Sequence, residues 1–331
     1  MRVIVTGATT PIGAALIEKL LAQPDVDVVL AIGREPESPP SDGLRLHYRC
    51  VDLTHHRAVH DLVWGCAREL GVDSVVSTMQ HRSAGDTGRR VHAQNVRAPR
   101  ELLLACTDHP TIRRFVYRSF AEVYSLRQTT SDLIDEEAPL DFDPMSPQWV
   151  RDRVEADLMA CAHFATALDI AVLRCAEILA PNSGSQLWDY LSSRVCLRPL
   201  GYDPMLNVLS VEDAATALLA ALRSHDKGVF NIPGFDTLPL SRAIAESRRI
   251  EIPVPGPLLS PLYALRRRIA GFDFRYDMNV QRFHFGGLLD GSRARTVLHY
   301  TPEVPVRWPV VSSSDAIGDA RVSGDGVRGM Q

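Results

Sequence analysis

Short apolar runs rich in β-branched residues alternate with stretches of helical period through the first half of the chain. Between the first two runs, Ile12, Leu16 and Leu20 recur at four-residue intervals and predict a helix with one buried face. Strands that alternate with helices in this way indicate βαβ units, so we expect an α/β fold with a Rossmann-type, doubly wound parallel sheet. The predicted strands are Val3–Val5, Val28–Ile32, Leu46–Cys50, Ser74–Ser77, Phe115–Tyr117 and Ile170–Arg174.

The pattern becomes less regular after Arg174. Residues 181–184 (PNSG) predict a loop, residues 188–191 a short helix, and VEDAATALLAALRS at 211–224 an amphipathic helix. The following GVFNI reads as a strand able to rejoin the sheet. We therefore expect a dinucleotide-binding domain of residues 1–175 and 205–233, a smaller C-terminal, substrate-type lobe of 176–204 and 234–310, and a flexible tail at 311–331.

Composition narrows the class of protein. A net charge of −4 provides no basic field for nucleic acid, and no window approaches the roughly 18 apolar residues that a membrane span requires. The chain starts directly on a predicted strand, without a signal sequence, and its six cysteines form no CxxC pair. His56 and His60 share a helical face but have no third ligand nearby, so no metal site is expected. These features predict a cytoplasmic protein without disulfides.

The segment TGATTPIG, residues 6–13, follows a predicted strand and opens a predicted helix, which is the context of a dinucleotide-binding turn. Gly7 would form the tight turn, Gly13 would let helix and strand pack closely, and N–H groups at the helix start would face a pyrophosphate. Thr10 replaces the middle glycine. With Pro11 it forms a suitable helix start, and its hydroxyl is a further candidate for a phosphate contact. The alternative is a strand-turn-helix without a ligand.

Several segments, taken in order and spacing, carry a resemblance to a known family. Over residues 1 to 305 the chain resembles the extended short-chain dehydrogenase/reductase family, in its nucleotide-sugar epimerase/dehydratase-like branch. The segments are TGATTPIG, VDL at 51–53, AQNVRAPRELLLAC around Asn95, RRFVYRSFAEVY at 113–124, LRCAEILAPN at 173–182 and GYDPMLNVLSVEDAATALLAAL at 201–222.

The resemblance implies a set of cofactor contacts. Asp52 would bind adenine, and Asn95 would help hold the chain near the nicotinamide ribose. The alternative for Asp52 is a carboxylate that caps the turn before Thr54. The second strand ends in Gly33-Arg34 where relatives that prefer NAD have an acidic residue, which favours NADP(H) over NAD(H) unless Arg34 is only a solvated surface residue. The implied contacts are Gly7, Thr9, Thr10, Pro11, Ile12, Gly13, Arg34, Asp52, Leu53, Asn95 and Arg153.

The catalytic positions depart from the family. Its members share proton transfer among a Ser or Thr, a Tyr and a Lys, and here those positions hold Phe120, Trp149 and Arg153, with Ser119 one position early and facing the opposite way. An indole N–H and a guanidinium do not exchange protons near pH 7. Neither lysine of the chain, Lys19 or Lys227, has a tyrosine four residues before it, so the Tyr-x-x-x-Lys motif is absent.

Two other side chains are candidates for the missing proton donor. Glu122 stands where dehydratases of the family have a carboxylate base, and His81 follows the fourth strand at the ligand-binding edge. Their alternatives are a solvated loop acid and an ordinary surface histidine. Tyr124 and Cys175 are interpreted as structural residues, and the arginines of LYALRRRIAGF at 262–272 as a solvent face rather than a membrane or partner helix.

Three hypotheses about function follow. The first is a cofactor-responsive protein that binds NADP(H) without the standard redox chemistry. The second is an active reductase, epimerase or dehydratase that modifies a lipid or secondary metabolite with Glu122 or His81 as donor. The third is an interaction module without a cofactor. The resemblance also implies a homodimer, with which the apolar residues Leu102, Leu103, Val154 and Leu158 are compatible, as they are with packing inside the chain.

Overall fold

The computed structural model describes residues 1–36, 44–83, 85–126, 133–270 and 274–310, so the expected tail at 311–331 lies outside the described residues. The strands are β1 (Arg2–Thr6), β2 (Val28–Gly33), β3 (Leu46–Cys50), β4 (Ser74–Ser77), β5 (Arg114–Phe120), β6 (Leu133–Ile134), β7 (Asp169–Cys175), β8 (Glu177–Ile178), β9 (Val195–Pro199), β10 (Met205–Leu209), β11 (Gly228–Ile232), β12 (Asp236–Pro239), β13 (Ile250–Val254) and β14 (Leu288–Leu289).

Helices connect most of these strands. They are α1 (Pro11–Leu21), α2 (His56–His60), α3 (Arg89–His92), α4 (Ala98–Thr107), α5 (Gln148–Cys161), α6 (Gln186–Leu191), α7 (Val211–Arg223), α8 (Leu240–Glu246), α9 (Gly256–Ala270), α10 (Val280–His284) and α11 (Ser292–Val297). Wider π-helical turns at Asp61–Ala67 and Ala93–Arg97 extend α2 and join α3 to α4. None of the helices within the described ranges is long and apolar enough to cross a membrane.

Seven parallel strands form the central sheet in the order β11-β7-β5-β4-β1-β2-β3. The six strands predicted in the first half are all present, and β11 pairs with β7 as expected. The inner strands β1 and β2 are mostly apolar because helices cover both faces of the sheet. Val3 and Val5 pack in one core with α1 and α7, while Ile4 packs in the other with α4 and α5. The Rossmann-type α/β fold is confirmed.

The sheet determines where a ligand can lie. The chain passes from β1 outward to β2 and β3, then crosses back over the sheet to β4 on the other side of β1. The crossovers diverge at this point and leave a crevice beyond the carboxyl ends of β1 and β4. Open α/β sheets bind their ligands in such a crevice. The glycine turn at 6–13 and the loop after Ser77 both open into it.

A smaller lobe contains three short sheets, ordered β12-β10-β8, β13-β9 and β14-β6. Its core is aromatic, with Tyr190, Tyr263, Phe274 and Phe283 packed edge to face. Residues 205–209, which the sequence analysis assigned to the dinucleotide-binding domain, form β10, which pairs with β12 and β8 rather than with the central sheet. An apolar pattern predicts a strand but does not specify its partner, and the domain boundaries stay a prediction.

The helices α4 and α5 carry the residues considered for dimerisation. Leu102, Leu103 and Val154 are buried within the chain itself, whereas Leu158 is 39% exposed. Intramolecular packing therefore accounts for three of the four positions. A homodimer stays a prediction for which Leu158 is the remaining apolar contact.

Candidate functional site

The glycine turn has the geometry that its sequence predicts. Gly7 adopts φ +69°, in the left-handed region that favours glycine. A Cβ on Gly13 would lie 2.1 Å from the Gly7 carbonyl oxygen, so only glycine lets α1 start this close to the turn. Thr10 caps α1: its hydroxyl donates to the Gly7 carbonyl (2.7 Å) and accepts from the Gly13 N–H (3.2 Å). This hydroxyl stabilises the turn, so its expected phosphate contact would have to compete with two internal hydrogen bonds.

A cleft of about 290 Å³ lies beside the turn. Its walls include five of the residues predicted to bind the cofactor: Gly7, Thr9, Thr10, Arg34 and Leu53. Ile12 and Gly13 are buried beneath the turn, and Pro11 is the first residue of α1. Asn95 and Arg153 line a second, much smaller cavity that shares Met79, Gln80 and His81 with the cleft.

Glu35 is the main residue of the cleft that sequence reasoning missed. Its carboxylate accepts from the Thr9 hydroxyl and pairs with Arg82. The hydrogen bond from Thr9, helped by the charge of Arg82, holds the pKa of Glu35 below its ordinary value. The predicted Arg34 lines the same cleft, and its guanidinium donates to the side-chain oxygen of Gln94. An acidic group therefore lies beside the basic ones where the sequence indicated only arginine.

Two further predicted cofactor residues make contacts within the protein. The Asp52 carboxylate accepts from the Thr54 N–H (3.0 Å) and hydroxyl (2.7 Å), which is the turn cap that the sequence offered as its alternative. Asn95 accepts from the His81 backbone N–H (2.8 Å) and donates to Asp152 (3.2 Å). Asn95 thereby ties the loop after β4 to α5, at the boundary between the two cavities. An adenine contact by Asp52 stays a prediction.

The Ser119 side chain is fully buried. Its hydroxyl donates to Asp157 (2.5 Å), which is fully buried and pairs with Arg174 at 2.7 Å. Tyr124 belongs to the same network, because its hydroxyl donates to Asn231 (2.6 Å) and accepts from Arg174 (3.0 Å). Burial raises the pKa of Tyr124 to about 12. Both hydroxyls therefore have structural roles.

The three nonstandard positions form one packed unit. Trp149 and Arg153 lie one turn apart on α5, and the Arg153 guanidinium lies between two rings, 3.9 Å from the centre of Phe120 and 4.6 Å from that of Trp149. It also pairs with Glu122 at 3.1 Å. Cation–π contacts and a buried ion pair thus join Phe120, Trp149, Arg153 and Glu122. The indole N–H of Trp149 has no hydrogen-bond partner among the described residues.

Glu122 is buried rather than solvated. Burial raises the pKa of Glu122, but the positive charges of Arg153 and Arg282 outweigh that effect. The pKa of Glu122 therefore lies below its ordinary value. Arg282 also bonds Glu177 at 2.7 Å. As a carboxylate near pH 7, Glu122 can accept a proton but has none to donate.

His81 lies where the two cavities meet. With the Gln94 amide oriented so that its nitrogen donates, His81 Nδ1 accepts at 2.6 Å, and Nε2 lies 2.7 Å from Asp86. Both ring nitrogens are therefore engaged within the protein. A substrate would have to displace one of these partners to use His81 as its proton donor.

The remaining candidates from the sequence analysis are buried or make contacts within the protein. Burial raises the pKa of the Cys175 thiol to about 12, which makes it unreactive near neutral pH. His56 pairs with Glu101 at 2.6 Å, and the described residues contain no cluster of potential metal ligands. In α9, Arg266 donates to the Val195 carbonyl at 2.9 Å and to Ser193, so it is not part of the expected solvent face.

Two proteins similar in sequence to this chain cover different shares of it. An uncharacterized protein of Mycobacterium tuberculosis is 28% identical over 322 residues, which span 95% of this chain and 82% of the relative. Dihydroflavonol 4-reductase of Zea mays is 30% identical over 150 residues, 43% of this chain and 40% of the enzyme.

Solved structures share the fold. UDP-glucuronic acid 4-epimerase from Bacillus cereus in complex with NAD superposes with a TM-score of 0.66 at 16% identity, covering 92% of this chain and 94% of the epimerase. DesIV, the dTDP-glucose 4,6-dehydratase from Streptomyces venezuelae with NAD bound, gives a TM-score of 0.67 at 19% identity and covers 96% and 95%. At such identities the likeness establishes the fold alone.

The sequence profile described as the NAD dependent epimerase/dehydratase family matches residues 3–232, which include the glycine turn, all of the central sheet except Arg2, and α5. This match covers more than half of the chain and agrees with the resemblance found in its segments. The chain therefore belongs to the NAD dependent epimerase/dehydratase family.

Proposed function

We propose that this protein binds a nicotinamide dinucleotide in the cleft beside the glycine turn and does not use the Tyr–Lys proton relay of its relatives. Its function is then that of a cofactor-responsive member of the family. The observation that carries the proposal is the Arg153 guanidinium, which is stacked between Phe120 and Trp149 and paired with Glu122. Structural neighbours with NAD bound support the first half of the proposal.

The chemistry of these groups supports the second half. A bound dinucleotide would supply or accept hydride, while the protein would have to move a proton at the substrate oxygen. Loss of general acid–base catalysis typically costs about 10²- to 10⁴-fold in rate. Arg153 stays protonated near pH 7, and Glu122, held ionised by its neighbours, has no proton to give.

Titration of the purified protein tests the proposal. Isothermal titration with NADH and NADPH should show saturable binding, whereas a panel of ketones and nucleotide sugars, including those named for the structural neighbours, should show no turnover. Absence of dinucleotide binding would leave only the interaction-module hypothesis. Robust turnover would instead contradict the loss of proton transfer.

An active enzyme with a reassigned donor is the second candidate. The observation that favours it is the His81–Asp86 pair (2.7 Å), because it lies at the junction of the two cavities and resembles an oriented general base. If turnover is found in the wild type, its disappearance in His81→Ala or Glu122→Gln would support this candidate. Turnover that persists in both variants would exclude these two donors.

Cofactor preference is a separate question within the proposal. Arg34 predicts NADP(H), and Arg82 adds a second guanidinium to the same cleft. The ionised Glu35 opposes this preference, since a carboxylate repels a 2′-phosphate and accepts a hydrogen bond from a free ribose hydroxyl. We infer that Glu35 sets the balance between the two cofactors.

Glu35→Gln is expected to shift the ratio of NADP⁺ to NAD⁺ affinity toward NADP⁺ by about 5- to 10-fold, because one close negative charge is removed. Isothermal titration of both nucleotides measures the ratio. Glu69→Gln serves as the matched control, since this exposed glutamate precedes β4 at the opposite edge of the sheet. An unchanged ratio in Glu35→Gln would remove Glu35 from the preference.

A further inference from the structure

We propose that the cleft recognises only the adenosine diphosphate half of a dinucleotide, and that Phe120, Trp149 and Arg153 keep the nicotinamide end outside the adjoining cavity. This inference rests on the proposed function, in which the cleft binds the dinucleotide. The inference specifies which half of the ligand the protein contacts. It also specifies which side chains fill the space where the other half would lie.

The sizes of the two cavities differ greatly. The cleft at the glycine turn encloses about 290 Å³, whereas the adjoining cavity encloses about 20 Å³. A cavity requires roughly 10–15 Å³ to hold one water molecule, so the smaller one has room for about a single water. A nicotinamide ring with its carboxamide needs the space of several waters. The residues present therefore fit the adenosine diphosphate half and do not fit the nicotinamide half.

The side chains that fill this place are held firmly. Phe120 and Trp149 are 6% and 2% exposed. Arg153 lies between their rings, pairs with Glu122 at 3.1 Å and donates to the Gly184 carbonyl at 3.3 Å. Moving Arg153 aside would weaken the pairing of the Glu122 carboxylate, which is costly because that carboxylate is buried. We therefore expect these three side chains to stay in the cavity rather than to move aside for a ligand.

The positive charges near the small cavity also disfavour entry of the nicotinamide ring. The guanidinium of Arg153 lines the small cavity itself, and those of Arg118 and Arg282 act on the same carboxylate, Glu122. An oxidised nicotinamide ring is itself a cation and is repelled there. The cleft, by contrast, offers a diphosphate the N-terminus of α1 together with Arg34 and Arg82.

Three titrations of the intact protein by isothermal calorimetry test the inference. ADP-ribose and NAD⁺ should bind with affinities within about threefold of each other, and nicotinamide mononucleotide should not bind. Saturation-transfer NMR with NAD⁺ should show transfer to the adenine protons and none to the nicotinamide protons. NAD⁺ that binds more than about tenfold tighter than ADP-ribose, with saturated nicotinamide protons, would overturn the inference while leaving the proposed function intact.

Variants with an enlarged cavity test the inference from the opposite direction, since they should admit the nicotinamide ring. In Trp149→Ala and in Phe120→Ala, the nicotinamide protons of NAD⁺ should gain saturation transfer, because the ring can then enter. Trp64→Ala is the matched control, since Trp64 packs on the other face of the sheet. Should neither opened variant fold, the wild-type titrations still decide. If no adenine nucleotide binds to the wild type, the proposed function itself fails.

Discussion

Replacing Asp157 by alanine is expected to lower the free energy of unfolding by about 3–5 kcal/mol, the usual effect of removing one partner from a buried ion pair. The Asp157 side chain is fully buried, and it bonds Arg174 through both oxygens, at 2.7 and 3.1 Å. It also accepts from Ser119. The substitution would leave a buried guanidinium without its counter-charge and a buried hydroxyl without its acceptor.

Urea unfolding followed by circular dichroism measures this effect. Asp25→Ala is the matched control because it breaks the Asp25–Arg223 pair (2.9 Å), in which both side chains are about half exposed. Exposed pairs contribute up to about 1 kcal/mol, so the control should stay close to wild type. Equal midpoints for the two variants would show that the buried network contributes no more than a surface pair.

The second large effect concerns the glycine turn. Gly13→Ala is expected to reduce dinucleotide affinity by about 100-fold or more. The new Cβ would lie 2.1 Å from the Gly7 carbonyl oxygen and 3.0 Å from the Ala8 Cα, both backbone atoms, so α1 would have to move away from the turn. The N–H groups that face the diphosphate would move with the helix.

Isothermal titration with NADH measures the affinity, and the far-ultraviolet circular dichroism spectrum checks that the variant is folded. Gly65→Ala is the control, because a Cβ at Gly65 would meet no atom within 4 Å. It should bind as the wild type does. Wild-type affinity in a folded Gly13→Ala protein would place the ligand elsewhere than at the turn.

The preference for arginine in this chain has a structural counterpart. Of 36 basic residues only two are lysines, and several of the arginines are buried where they stack or bond two partners at once. Arg174 bonds Asp157 and Tyr124, and Arg153 stacks on two rings while pairing with Glu122. A planar guanidinium can make such contacts together, whereas an ammonium group is a point charge. The surroundings of Glu122 and Asp157 thus form a structural network of paired and stacked arginines.

The place of Glu35 in the cleft could not be predicted from the sequence. It stands two residues after Gly33, and the chain carries no further signal there that distinguishes it from any loop glutamate. Its importance comes from Thr9 and Arg82, which belong to two other loops that meet it at the cleft. A local pattern cannot report such a meeting, because the loops are brought together only by the order of the strands.

The sequence by itself determined the elements of the central sheet, the glycine turn and the lack of a Tyr-x-x-x-Lys motif, because periodicity, glycine geometry and residue identity are properties of short segments. Only the tertiary structure decided which sheet residues 205–209 join, that Glu122 is paired and ionised, and that the cavity beyond His81 is nearly filled. Strand pairing, pKa and cavity volume depend on groups far apart in the chain, here residues as distant as Glu122 and Arg282. Their proximity exists only in the folded molecule.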